Sequence, residues 1–363
     1  MIKQCLIILL LALVLAPVCR AQEEQLWDAI GMDELARAGE QYDAGVELSP
    51  DIQLDRGLDK LLERGAEHLP GVLRKGLSSA VSLLVIVIAC AMAEGMRAAG
   101  TPQGGLNVCI MAGALAITAV SANEMSAMMG LGRSTIDRMQ GFSQILLPIS
   151  AACTAATGAP TAAAVRQVAT ALFSSLLLSL IDRVLVPLVY AYVVACTAHA
   201  AVGNPGLDKV AGVLKWVATR ALSALLVLFV TYLTVSGAIA GTADAAALKA
   251  AKMAISTAVP VVGGIIANAA DTILVGAGLL KNTVGVFGML AVLGICIVPF
   301  LQLGAQYLTY KFCGALAATL ADSRLAKLID SIGTAFALML GMTGASALLL
   351  LVSIVSGLAG GGR

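Results

Sequence analysis

Between Ser236 and Met289 the chain reads SGAIAGTADAAALKAAKMAISTAVPVVGGIIANAADTILVGAGLLKNTVGVFGM, which sets Asp244, Lys249, Lys252, Asp271 and Lys281 among apolar neighbours. Hydrocarbon does not solvate such groups. On translocon scales an Asp or Lys at the centre of a membrane helix costs about 2.5 to 3.5 kcal/mol, so these side chains are expected to face a protein interior or a water-filled cavity. The chemistry open to them is ion pairing, capping of helix ends and passage of a polar cargo. Bond-making chemistry is not indicated. The chain has 2 His, and it contains no phosphate-binding Gly-rich loop with its Lys, no HExxH and no nucleophile elbow. The carboxylates available for an intramembrane acid pair, Asp244 and Asp271, stand in contexts explained by capping and ion pairing. No enzyme is expected, and no catalytic, cofactor-binding or metal-ligating residues are assigned.

The elements that must position these residues read as a broken helix. Thr242, after Gly241, can serve as an N-cap with Asp244 in the first turn, where a carboxylate favours the helix dipole. Lys249, Lys252 and Ser256 then share one stripe of an Ala-rich helix. Pro260, Gly263 and Gly264 interrupt it, and a second apolar helix follows with Asn268 and Asp271 one turn apart. Two readings are open. Interrupted hydrophobic helices mark substrate or ion sites in many transporters. Alternatively, Asp244 only caps, the lysines snorkel to an interface and the glycines let helices approach closely.

The order of motifs is itself specific. GxxxG at Gly237 and Gly241, Asp244, the ALKAAK run with Lys249 and Lys252, VPVVGG with Pro260, Gly263 and Gly264, AxDT around Asp271, and LLKNTVGVFG with Lys281, Asn282, Gly285 and Gly288 resemble the stage III sporulation protein AE family of endospore-forming bacteria. The resemblance runs from near Leu207 to about Gly357, and more loosely to the amino terminus. It implies a membrane component of a channel-like complex between the mother cell and the engulfed forespore. It also implies other membrane subunits and a cytoplasmic ATPase as partners, and a location in the mother-cell membrane around the forespore. A self-contained transporter for a small solute and a non-conducting scaffold are the alternatives.

Composition sets the class. With 59% hydrophobic and 12% charged residues and 37 glycines in 363, the chain reads as an all-α, polytopic helical membrane protein. Residues 22–75 hold 13 acidic and 6 basic residues, whereas 76–363 hold 9 acidic and 15 basic. An acidic head precedes a mildly basic membrane body. No dense basic patch with interleaved aromatics suggests nucleic acid. Of the 8 cysteines, Cys5 and Cys19 lie in the leader, and the other six lie in apolar segments at no metal-ligand spacing and are expected to act as small apolar residues.

Along the chain, residues 1–21 form an expected signal peptide, with Lys3, an apolar core from Leu6 to Leu15, and cleavage after Ala21. Residues 22–75 form a small helical extracytoplasmic segment, its second helix bounded by Pro50 and Pro70. A first membrane region covers 76–203, with a span at Leu77 to Ala93, a turn at Gly100 to Gly105, a return span at Leu106 to Ala122 and an interfacial helix at 123–141. Asp182 and Arg183 are expected to mark an interfacial turn between two apolar runs, the alternative being that they neutralise each other inside the bundle. An amphipathic interfacial helix at 204–220, with Trp216 at headgroup level, leads into a second membrane region at 221–358 that contains the 236–289 motif, and 359–363 form a tail. Lipid is the surrounding solvent. A re-entrant run at the Pro260 break reconciles the lysines with positive-inside counting.

Overall fold

The computed structural model describes residues 27, 30–97, 106–258 and 263–359; the side chains of 96–97, 106–107, 237–243, 245, 248, 251–276 and 359 are outside the description. The expected leader, the turn at Gly100 to Gly105 and the Pro260 break lie outside the described residues. All regular structure among the described residues is helical: α1 (Met32–Gln41), α2 (Leu54–Arg97), α3 (Leu106–Ala156), α4 (Pro160–Leu180), α5 (Val186–Val202), α6 (Pro205–Ala258), α7 (Gly263–Leu320) and α8 (Ser323–Ala359). A π-helical turn, Ile181–Leu185, joins α4 to α5. Among the described residues six helices are long and apolar enough to cross a membrane, with α4 and α5 counted as one. The chain is a polytopic helical membrane protein.

The helices are continuous where the sequence suggests joints. Residues 123–141 extend the preceding span within α3, and 204–220 run into the next span within α6. Gly241 and Thr242 do not start a helix, because α6 passes through them; Asp244 therefore lies mid-helix and its carboxylate is free to serve another element. Pro70 sits inside α2 rather than ending it. A proline removes only its own N–H bond and crowds one carbonyl, which a long packed helix absorbs. Asp182 and Arg183 also make no turn. The π turn carries the helix past them, and Asp182 pairs with Arg133 of α3 at 2.8 Å, so the neighbouring charges do not neutralise each other.

α7 and α8 form the centre. Their most apolar windows are 61% and 56% buried inside the protein, against 11% for that of α6; α7 and α8 are thus core helices, whereas α6 presents its apolar side chains outward. Phe287 of α7 meets Phe142 of α3 at 6.2 Å between ring centroids, and Tyr310 meets Phe336 of α8 at 5.0 Å. The acidic head packs on this body, with Met32, Leu35 and Ala38 of α1 buried.

Charges mark the depth of the membrane belt. The 44 residues of α2 extend roughly 66 Å, about twice a hydrocarbon core of ~30 Å. Residues 76–93 carry no charge and cover roughly 27 Å as helix. Here Leu77, Val81, Val85, Ile88 and Met92 face outward. At one end of the belt lie the Asp208–Lys327 pair at 2.7 Å and Asp322 with Arg324. Arg64–Asp43 at 2.5 Å and Arg133–Asp182 mark the other.

Asp322 also starts α8. Its Oδ1 accepts the backbone N–H of Arg324 at 2.8 Å, which satisfies one of the donors a helix start leaves free. Asp322→Ala should lower stability by about 1 kcal/mol, read as a lower melting temperature of the purified protein. An unchanged melt would remove the cap from the account.

Candidate functional site

α3 and α4 form a hairpin whose turn leaves α4 without a cap of its own. Gly158 adopts φ 88° and Pro160 occupies the first turn of α4, but the N-cap position is Ala159, which makes no side-chain cap bond. Proline has no N–H, so the donors needing partners are those of Thr161 and Ala162. Asp244 supplies both from α6. Its Oδ1 accepts Thr161 N–H at 3.1 Å and its Oδ2 accepts Ala162 N–H at 2.8 Å. The carboxylate is 4% exposed, and it sits at the positive end of the α4 dipole, where an anion is favoured. The sequence placed Asp244 as a first-turn residue of its own helix; in the fold it caps a helix more than eighty residues earlier.

Two cations lie in the same region of the interior. Arg166, in the next turn of α4, is buried and donates from Nη2 to Thr154 Oγ1 at 2.9 Å. Thr154 is held by its own bond to the Ser150 carbonyl at 2.8 Å. The guanidinium lies against Gly357 of α8, where an added Cβ would come within 3.1 Å of Arg166 Cζ. Lys281 of α7 is also buried and lies within electrostatic reach of Arg166 and Cys153. A bond of 2.5 Å between Thr170 Oγ1 and Ser353 Oγ ties α4 to α8. The cluster joins α3, α4, α6, α7 and α8 through buried polar groups, each of which would be costly to leave unmatched.

The motif residues divide. Asp244 and Lys281 are inside, whereas Lys249 and Asn282 are exposed. Gly285 and Gly288 are close-approach positions: a Cβ at Gly285 would overlap Leu358, and one at Gly288 would lie 2.9 Å from Leu146. Gly237, Gly241, Lys252, Gly263, Gly264 and Asp271 are helical, but their surroundings fall outside the description, and Pro260 lies outside the described residues. Sequence reasoning missed Arg166 and Thr154. A lone arginine in TAAAVRQVATALF is the available signal, since arginine in an apolar run needs an interior partner.

A second buried network was half legible. Gln302 and Gln306, one turn apart in an apolar run, are the visible sign of a polar face, but nothing in the sequence marks Glu124 as a partner. Glu124 of α3 accepts bonds from Gln306 Nε2 at 2.8 Å and Tyr310 OH at 2.6 Å, both on α7, and contacts Ser79 Oγ of α2. Nearby, Lys311 of α7 binds Asp330 of α8 at 2.6 Å. Among the described residues no group of three His, Cys, Asp or Glu is placed to hold a metal ion.

Comparison with known proteins bears on the same region. The sequence profile of stage III sporulation protein AE matches residues 58–361, a stretch that contains Glu124, Arg166, Asp244 and Lys281. Stage III sporulation protein AE of Bacillus subtilis (strain 168) is 23% identical over 251 residues. These make up 69% of this chain and 63% of that relative, so the chain spans somewhat less than two thirds of the relative's length. No solved structure matches. With the profile covering most of its length and six helices fit to cross a membrane, this chain belongs to the stage III sporulation protein AE family.

Proposed function

We propose that the protein is a non-enzymatic, integral membrane subunit of a channel-like complex linking mother cell and forespore. In this reading it sits in the mother-cell membrane around the forespore and works with other membrane subunits and a cytoplasmic ATPase. Asp244 and Lys281 of the stretch 236–289 belong to its packing core rather than to the wall of a passage. One observation carries the last point: Asp244, the motif's buried carboxylate, is committed to the backbone of α4 and not directed at an opening. A channel role rests on surfaces that partner subunits complete, and the outward apolar face of α6, with Val227, Leu228 and Val230, suits contact with lipid or with such a subunit.

The test combines location and company. A fluorescent fusion in sporulating cells should mark the membrane around the engulfed forespore, and crosslinking should recover other membrane chains and an ATPase. Uniform cytoplasmic fluorescence, or recovery of a homo-oligomer alone, counts against the proposal. Solute movement by the purified protein alone in liposomes would favour the self-contained transporter.

A further inference from the structure

Glu124 stands where α3 acquires its first charge after the uncharged stretch 106–123. Its surroundings are neutral and almost wholly buried: Ser79 is 6% exposed, Ser121 2%, Gln306 7% and Tyr310 0%. Among the described residues no Lys or Arg forms an ion pair with it. Glu124 itself is only part-buried, so water reaches the site from the rim of the belt.

The hydrogen count is what distinguishes this network. Ser79 has one hydroxyl hydrogen and two oxygen neighbours that can take it, the Lys75 carbonyl at 3.1 Å and Glu124 Oε1. With Glu124 ionised, Ser79 donates to Oε1, while Gln306 and Tyr310 donate to Oε2. With a proton on Oε1, the acid donates to Ser79 Oγ and Ser79 turns its hydrogen to the Lys75 carbonyl. Gln306 and Tyr310 keep their bonds to Oε2, and the hydroxyls of Tyr310 and Ser121 share theirs at 2.9 Å in both states. Both carboxyl oxygens and the hydroxyls of Ser79, Ser121 and Tyr310 keep partners either way, at the cost of one hydroxyl rotation, and Gln306 Nε2 also lies 3.3 Å from Ser79 Oγ. A carboxylate serving only as a fixed strut needs no second complete pattern, and a buried network that failed in one state would be heavily penalised there.

We propose that Glu124 is a reversible proton-binding site at the rim of the membrane belt, with Ser79 as the hydroxyl that reorients when the proton arrives. The proton comes from water and binds Oε1; no other bond is made or broken. Among the described residues, Tyr310 and Cys313 on α7 are titratable groups in electrostatic reach. On α2, Lys75 contributes its carbonyl while its side chain is exposed, and on α8 Asp330 is engaged by Lys311. The site joins α2, α3 and α7, so protonation replaces an anion at their junction by a neutral acid.

Infrared difference spectra of the full chain in lipid, acidic minus alkaline, read this directly. The expected result is a carboxylic-acid C=O component that is lost completely in Glu124→Gln, an isostere of the neutral state. In Tyr310→Phe both forms lose a donor, but the ionised form loses the stronger, charge-assisted bond, so the component should persist to more alkaline pH. Identical spectra for wild type and Glu124→Gln would overturn the proposal, as would a Tyr310→Phe component with unchanged pH dependence. A component displaced by sodium at fixed pH would also overturn it, assigning the site to an alkali cation.

Discussion

Asp244→Ala should destabilise the protein by about 3 kcal/mol. Two backbone N–H groups at the start of α4 lose their acceptor together, and charge-assisted bonds of this kind contribute about 1.5 to 3 kcal/mol each when buried, less whatever water or local movement recovers. Asp244→Asn keeps one acceptor oxygen and should fall between. Lys249 provides the control, because it lies on the same helix and is exposed; Lys249→Ala should stay within about 0.5 kcal/mol of wild type. Thermal unfolding of purified protein in one detergent gives the order. If the Asp244 and Lys249 variants melted together, the carboxylate would not be holding α4, and the packing-core reading of Asp244 would fall with it.

Gly294→Ala should loosen the acidic head. Gly294 lies on the face of α7 against which the segment after α1 rests, and a Cβ there would overlap the carbonyl oxygen of Ala44, with that residue's carbonyl carbon at 2.7 Å. The obstacle is backbone, so no side-chain rotation relieves it. Overpacking of this kind typically costs about 1 to 3 kcal/mol, and the expected value is near the upper end because the segment must lift away. Lifting exposes Arg37 and Arg56 further, so trypsin should cut the head several-fold faster. Gly304→Ala on the same helix meets nothing within 4 Å and should digest like wild type. Equal digestion of the two variants would show that the head does not depend on this contact.

Composition and the pattern of apolar runs were sufficient for the all-helical membrane class, because hydrocarbon admits few ways of satisfying a backbone and long uncharged stretches announce themselves. The motif order of 236–289 was equally legible, but the sequence set Asp244 at membrane depth, whereas in the fold it lies well beyond the span of α6 and is buried by protein. What Asp244 holds was not legible. Its partners are the backbone of Thr161 and Ala162, and an N–H has no signature in a sequence. The uncapped start of α4 becomes visible only when the hairpin turn and α6 are placed side by side.

Continuity of the helices also waited on the tertiary structure. Asp182 beside Arg183, or the polar run at 123–141, has the local chemistry of a turn or an interface. Local preference is worth tenths of a kcal/mol per residue, and it yields where a neighbouring helix supplies the partner, as Arg133 does for Asp182. The meeting of Glu124 with Ser79, Gln306 and Tyr310 is of the same kind. Each residue alone reads as a tolerable polar group in an apolar run, and only the packing of α2, α3 and α7 turns them into one site, because a buried polar side chain is specified by what stands opposite it.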